Sequence, residues 1–368
     1  MNITATKTSF NFSEWNNATA ETNGESLEAL GHLLMVALSL ITIIGLPANF
    51  VVVFIFRYVY ASNPSSLNMV IISSSICNLL LILVAGPVHT DVYIHGRWRF
   101  GYDGCQFYGF WVHFTAVSEL SHLTIISMHR YYLIASKQRA RSQRVGQQLA
   151  LVSAAWIYSA LFAVLPFLGL SKYDFEGLHT GCAPRWGSAE IKDATYNVLL
   201  LCFEFVLPFS VILYCNIKLM KTINMHNRRM IDRSTIEEVS KRKEAQRSVQ
   251  TMIIIMISAF LFSWLPYTLF CVVGMISRTN FASGKIGAIP AVFAKSSVIW
   301  NPIIYGFKHN LFRQRLRQIW RQCCQSSVRD ASVASNNRSN PVPSLKRSSR
   351  SQKSAIISIK PYTPSSVM

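Results

Sequence analysis

Seven apolar runs, each near the 20 residues or so that a helix needs to cross the hydrocarbon core of a bilayer, leave this chain few ways to fold. They occupy roughly 31–57, 66–91, 104–134, 148–170, 194–220, 247–276 and 286–306. Charged or turn-forming segments separate them. The chain is 51% hydrophobic and only 14% charged, a balance that favours a membrane protein over a soluble one. The expected fold is an all-α membrane protein: a seven-transmembrane-helix bundle over 31–306, preceded by a polar tail over 1–30. A short amphipathic membrane-surface helix over 307–322 and a disordered tail over 323–368 follow it.

The net charge of +19 would suggest nucleic acid in a soluble protein, but here the cations sit mostly in loops and tail, so no nucleic-acid partner is expected. Lys137, Arg139, Arg141 and Arg144 follow the third run, and Arg228, Arg229, Arg233, Lys241, Arg242 and Lys243 follow the fifth. A further basic series begins at Arg313. The positive-inside bias then puts the C-terminus in the cytosol and, with an odd number of spans, the N-terminus outside, as in a multi-pass plasma-membrane protein. No cleaved signal peptide is apparent, so the first helix acts as its own insertion signal. The sequons at Asn2, Asn11 and Asn17 fit an exterior N-terminal tail that is glycosylated. After the seventh run, Phe307, Leu311, Ile319 and Trp320 alternate with cations, as suits a helix lying on the lipid surface. Cys323 and Cys324 follow it as palmitoylation candidates, or as two free thiols. The eight cysteines show no ligand-type pairing, and no metal site is indicated.

Lys295 is the most informative single residue. It lies within the otherwise uncharged seventh run, where an ammonium costs about 2.5–3.5 kcal/mol on insertion scales. Two readings are open on physical grounds: a lysine paired with a buried carboxylate for structure or ion movement, or an amine that condenses with an aldehyde to form a Schiff base. Apolar surroundings favour the neutral, nucleophilic amine that the second reading needs.

Residues 289–305 read IPAVFAKSSVIWNPIIY. Asn301, Pro302 and Tyr305 form the Asn-Pro-x-x-Tyr motif of rhodopsin-like receptors, and Phe293-Ala294-Lys295 before it resembles the retinal-lysine signature of the opsin family. Gly45-x-Pro47-x-Asn49, Trp98-x-Phe100-Gly101, Arg130-Tyr131, Pro208 and the stretch from Phe260 to Tyr267 extend the resemblance over the membrane domain. It implies a light-sensing receptor with retinal, as the 11-cis or a related isomer, bound to Lys295 as a protonated Schiff base. Trp264, Tyr267 and Phe260 match aromatic positions around the polyene. Cys105 and Cys182 match the family disulfide, and Glu176, six residues before Cys182, matches an opsin counter-ion position. The implied partners are a heterotrimeric G protein, meeting the chain around His129, Arg130 and Tyr131, a receptor kinase and arrestin acting on the Ser-rich tail, and membrane lipid.

The chain also departs from the family pattern. Tyr108 stands where vertebrate visual opsins carry a counter-ion, so a non-visual or invertebrate-type opsin is the better match. Glu119 is read as a displaced carboxylate of a central polar cluster, Asn78 standing where an aspartate is expected. Glu204 is expected at the far end of the retinal cavity, tuning colour rather than balancing the imine. His89 could approach the imine, although a lone histidine is more often a satisfied structural group. His129 and Gln246 replace the acidic neighbours of Arg130, which predicts raised dark activity. Competing functions are a rhodopsin-like receptor for a diffusible ligand, with Lys295 incidental, and a retinal-binding photoisomerase. Neither the facing charges nor the paired broken helices of a transporter or channel are seen.

Overall fold

Proline and asparagine shape the bundle where its helices meet. The structure, a computed structural model, describes residues 12–62, 64–95, 97–135, 144–176, 181–230, 236–278, 285–322 and 325. The first four passages are α1 (Phe12–Ser62), α2 (Ser66–His95), α3 (Gly101–Ala135) and α4 (Val145–Val164), the last prolonged by a tighter turn over Leu165–Leu168. A hairpin of β1 (Tyr173–Glu176) and β2 (Gly181–Pro184) comes next. The fifth passage is α5 (Ile191–Leu199) and α6 (Leu207–Met230), joined through a widened π-type turn over Leu200–Val206. The sixth is α7 (Ile236–Ser277), and the seventh is α8 (Lys285–Lys295) followed by α9 (Ser297–Lys308). A last helix, α10, covers 310–322. Asn2, Asn11, Cys323, Cys324, Lys137, Arg139, Arg141, Arg233 and the tail from 326 lie outside the described residues, as does the side chain of Asn17.

Among the described residues five helices are long and apolar enough to span a membrane by composition alone, and the third and seventh passages are not among them. Both exceptions have physical causes. The third carries Glu119, three histidines and Arg130 on one helix, because it is the central element on which other spans converge. The seventh is divided at Ser296 into pieces of 11 and 12 residues, not continuous as 286–306 implied. Ser296 turns its N–H to the Val292 and Phe293 carbonyls at 3.2 and 3.1 Å, and the break falls immediately after Lys295. The first helix also begins well before residue 31, in a segment rich in the good helix formers Ala and Glu.

Pro302 has no N–H for the carbonyl four residues earlier, that of Val298. Asn49 supplies the missing donor: its Nδ2 donates to Val298 O and to Gly45 O, both at 2.9 Å. The first and seventh spans are thus tied at the point where proline leaves a backbone acceptor open. Pro208 likewise follows the π-type turn, where Phe203 O accepts from the Tyr158 hydroxyl.

The hairpin lies against α3. It is antiparallel, with Phe175 opposite Cys182 and Glu176 opposite Gly181. A Cβ on Gly109 would sit 2.6 Å from Tyr173 ring atoms, so glycine there is what lets β1 approach the helix. At the opposite end Phe56 stacks on Phe312 of α10 at 5.7 Å and meets Tyr305 edge-on at 5.5 Å. Phe312 and Ile319 dock α10 on the bundle, whereas Leu316 and Trp320 remain exposed, the face expected of a helix resting on lipid.

Candidate functional site

Lys295, at the last position of α8, and Glu176, at the last position of β1, meet although 119 residues separate them. Lys295 Nζ donates to Glu176 Oε2 at 3.4 Å, with side-chain exposures of 13% and 6%. The second carboxylate oxygen, Oε1, is buried and has no hydrogen-bond partner among the described residues. Cys105 and Cys182 are bridged, with Cα atoms 5.5 Å apart. Because Cys182 pairs with Phe175, the bridge fixes the strand beside Glu176 to α3.

Both groups open onto a cavity of about 130 Å³ between the spans and beneath the hairpin. Phe260, Trp264 and Tyr267 line it. Phe260 stacks on Trp264 with centroids 5.7 Å apart, Trp264 meets Tyr267 at 6.0 Å, and Trp186 Nε1 donates to the Tyr267 hydroxyl at 3.2 Å. An amine facing the Glu176 carboxylate in a largely aromatic and apolar wall suits a long apolar aldehyde, so the residues fit retinal.

Tyr108 does not line this cavity. It is buried behind the hairpin, edge-on to Trp98 at 5.7 Å, and its hydroxyl and His89 Nε2 are hydrogen-bonded at 2.8 Å. Its place is taken by the approach of β2, whose Gly181 lies over the phenol ring. His89 is therefore a satisfied histidine, and it also lines a small space that reaches Lys295 from the side away from the main cavity.

Glu204 does line the cavity, on the π-type turn of the fifth passage. His113 of α3 was missed in the sequence: its Nε2 lies 2.8 and 3.0 Å from the two Glu204 oxygens. The polar character of the third run was the only available signal.

Below the cavity Glu119 is buried, its Oε1 accepting from Asn301 Nδ2 at 2.6 Å and Asn78 Nδ2 at 3.3 Å. This is the displaced carboxylate that the sequence suggested, and it reaches the Asn301-Pro302 motif directly. Tyr305 is fully buried. At the far end of α3, Arg130 forms no ion pair with an acidic side chain among the described residues. A neutral chain stands nearby instead. Gln250 Nε2 donates to Asn216 Oδ1 at 2.8 Å, and Asn216 Nδ2 donates to Ser127 Oγ at 3.3 Å. It ties the third, fifth and sixth passages, and the sequence reading did not find it. His129 and Tyr131 flank Arg130 on the same helix end, with Tyr131 edge-on to Tyr214 at 6.3 Å.

Residues 48–305 match the family model described as 7 transmembrane receptor (rhodopsin family). Opsin-VA of Rutilus rutilus is 28% identical over 313 residues, covering 83% of this chain and 76% of that protein. Pinopsin of Columba livia is 30% identical over 267 residues, covering 72% and 74% respectively. The crystal structure of squid rhodopsin superposes with a TM-score of 0.72 at 24% identity, over 80% of this chain and 86% of that one. With the family model spanning the membrane domain and opsins matched over most of their length, the chain belongs to the rhodopsin family of seven-transmembrane receptors and, within it, to the opsins.

Proposed function

We propose that Lys295 carries retinal, as the 11-cis or a related isomer, that Glu176 balances the positive nitrogen, and that light opens the Arg130 end of the bundle to a heterotrimeric G protein. A light-sensing receptor coupled to a G protein, rather than an enzyme, is what membership of the opsins means for this chain. Retinal supplies an aldehyde for the lysine amine and a shape that light changes.

The chain's own residues do the rest. The break at Ser296 frees the end of α8, where Lys295 projects into the cavity. Glu176 favours the charged form of its nitrogen, since an opposite charge at this distance stabilises a cation that burial opposes. Trp264 and Phe260 present stacked rings to a bound polyene, and the disulfide holds the hairpin over it. A change in shape within the cavity would press on α7, which carries Trp264 and, toward the other end, Gln250 of the neutral chain. The polar cluster of Glu119, Asn78 and Asn301 links the cavity floor to the seventh passage beyond Ser296.

The orientation that fits this role has the hairpin outside the cell and Arg130, α10 and the Ser-rich tail in the cytosol, where a receptor kinase, arrestin and lipid would meet the chain. The cations around residues 137–144, 228–243 and after 313 support it. The glycosylated tail over 1–30 and the palmitoylated cysteines belong to the same reading. The observation that carries the proposal is the meeting of Lys295 and Glu176 in the wall of one apolar cavity. Purified protein incubated with 11-cis-retinal should show a visible band and light-dependent nucleotide exchange on an added G protein. Exchange driven by a diffusible ligand, with no visible band, would overturn it.

A further inference from the structure

A second polar centre in the cavity wall has no part in holding Lys295. His113 Nε2 faces both oxygens of Glu204, and on its other side Nδ1 lies 3.1 Å from the Tyr173 hydroxyl and 3.4 Å from that of Tyr196. The hydroxyl protons have other acceptors within reach: Tyr173 donates to Ala163 O at 2.8 Å and Tyr196 to Phe162 O at 3.1 Å. With both phenols so committed, Nδ1 faces only oxygen lone pairs and must itself be the N–H donor. One further proton then lies between Nε2 and Glu204, whichever atom it rests on, because a bare carboxylate facing an unprotonated nitrogen would repel it.

We propose that His113 and Glu204 act as one proton-sharing, electrically neutral pair that sets the absorption of the bound chromophore from the cavity wall. This rests on the reading of Lys295 given above. The titratable groups at or facing the pair come from four elements: His113 from α3, Tyr158 from α4, Glu204 and Tyr196 from the fifth passage, and Tyr173 from β1. Lys295 and Glu176 line the same cavity and form their own ion pair. Because its charge is matched internally, Glu204 is not a second counter-ion, and its influence on the polyene is that of a local dipole. Loss of either partner removes the same dipole.

The test is a double-mutant cycle of His113→Phe, Glu204→Gln and the two together, with 11-cis-retinal as the probe and absorption maximum as the readout. Both single variants should shift the maximum in the same direction, and the double variant should match either one rather than their sum. Shifts of opposite sign that cancel in the double variant would mean two independent charges, and unchanged maxima would mean that the pair does not act on the chromophore; either overturns the proposal. A second readout needs no retinal: histidine nitrogen NMR of ligand-free protein should show His113 with Nδ1 protonated in the wild type, and a change at Nε2 in Glu204→Gln. An Nδ1 without a proton would also overturn it. His113→Gln and Glu204→Asp serve where a larger change prevents folding. Failure of the wild type to form any pigment would count against the role of Lys295, and the NMR result would then stand separately.

Discussion

Replacing Glu176 by Gln removes one negative charge while keeping size and shape, so its effect isolates the electrostatic role assigned to this residue. The carboxylate lies 3.4 Å from Lys295 Nζ, and the two side chains are 6% and 13% exposed. Water therefore screens the pair poorly, and an effective dielectric of about 20 is the suitable choice, giving about 5 kcal/mol between unit charges at that distance. At roughly 1.36 kcal/mol per pH unit, the midpoint between the visible and ultraviolet forms should fall by roughly 3–4 pH units. The sign follows from the charge: an anion favours the protonated nitrogen, so its loss favours the neutral form, and visible absorbance returns only as pH is lowered. The assay is a spectral pH titration of wild type and Glu176→Gln in chloride-free buffer, since a small anion could replace the lost carboxylate. A midpoint unchanged in Glu176→Gln, with a collapse in Glu119→Gln or Glu204→Gln instead, would refute the assignment.

Three other outcomes are expected. Cys105→Ser or Cys182→Ser opens a loop with a sequence separation of 77, a loss of roughly 4 kcal/mol in the chain-entropy treatment, and should sharply reduce pigment yield and thermal stability; mass spectrometry finding both thiols free in functional pigment would contradict this. Gln250→Leu removes the link from the sixth passage to Asn216, worth about 1 kcal/mol, and should raise dark nucleotide exchange roughly fivefold, whereas His129→Glu should lower it by giving Arg130 an acidic neighbour; no change in either variant would remove the idea that this end is held by polar contacts. Burial, with the charge of Arg130 adding to it, holds His309 down to about 4, so the folded state binds fewer protons there than the unfolded one. Docking of α10 should thus weaken as pH falls below about 6.5, and His309→Phe should blunt that loss, measured by fluorescence of Trp320.

What the sequence revealed and what it hid follow a physical line. Span positions, Lys295, Glu176 and the cysteines are legible because each is an exception to an apolar background or matches a local motif. The break at Ser296 was not, since a continuous apolar run looks the same whether or not its helix turns once. The pairing of Asn49 with Val298 is visible only when the first and seventh spans are side by side, although Pro302 announces that some donor must be found. His113 with Glu204, and Ser127 with Asn216 and Gln250, join residues far apart in the chain, and a lone buried polar residue does not name its partner. Tyr108 is matched to the chromophore site by its resemblance to a counter-ion position, whereas its hydroxyl is hydrogen-bonded with His89 and it does not line the cavity.

Covalent attachment at Lys295 is tested most directly by borohydride reduction of the pigment, followed by proteolysis and mass spectrometry to locate the retinyl group. The expected result is a single modified peptide containing Lys295, and no visible band in Lys295→Ala. A retinyl group on any other lysine, or a normal pigment in Lys295→Ala, would contradict it.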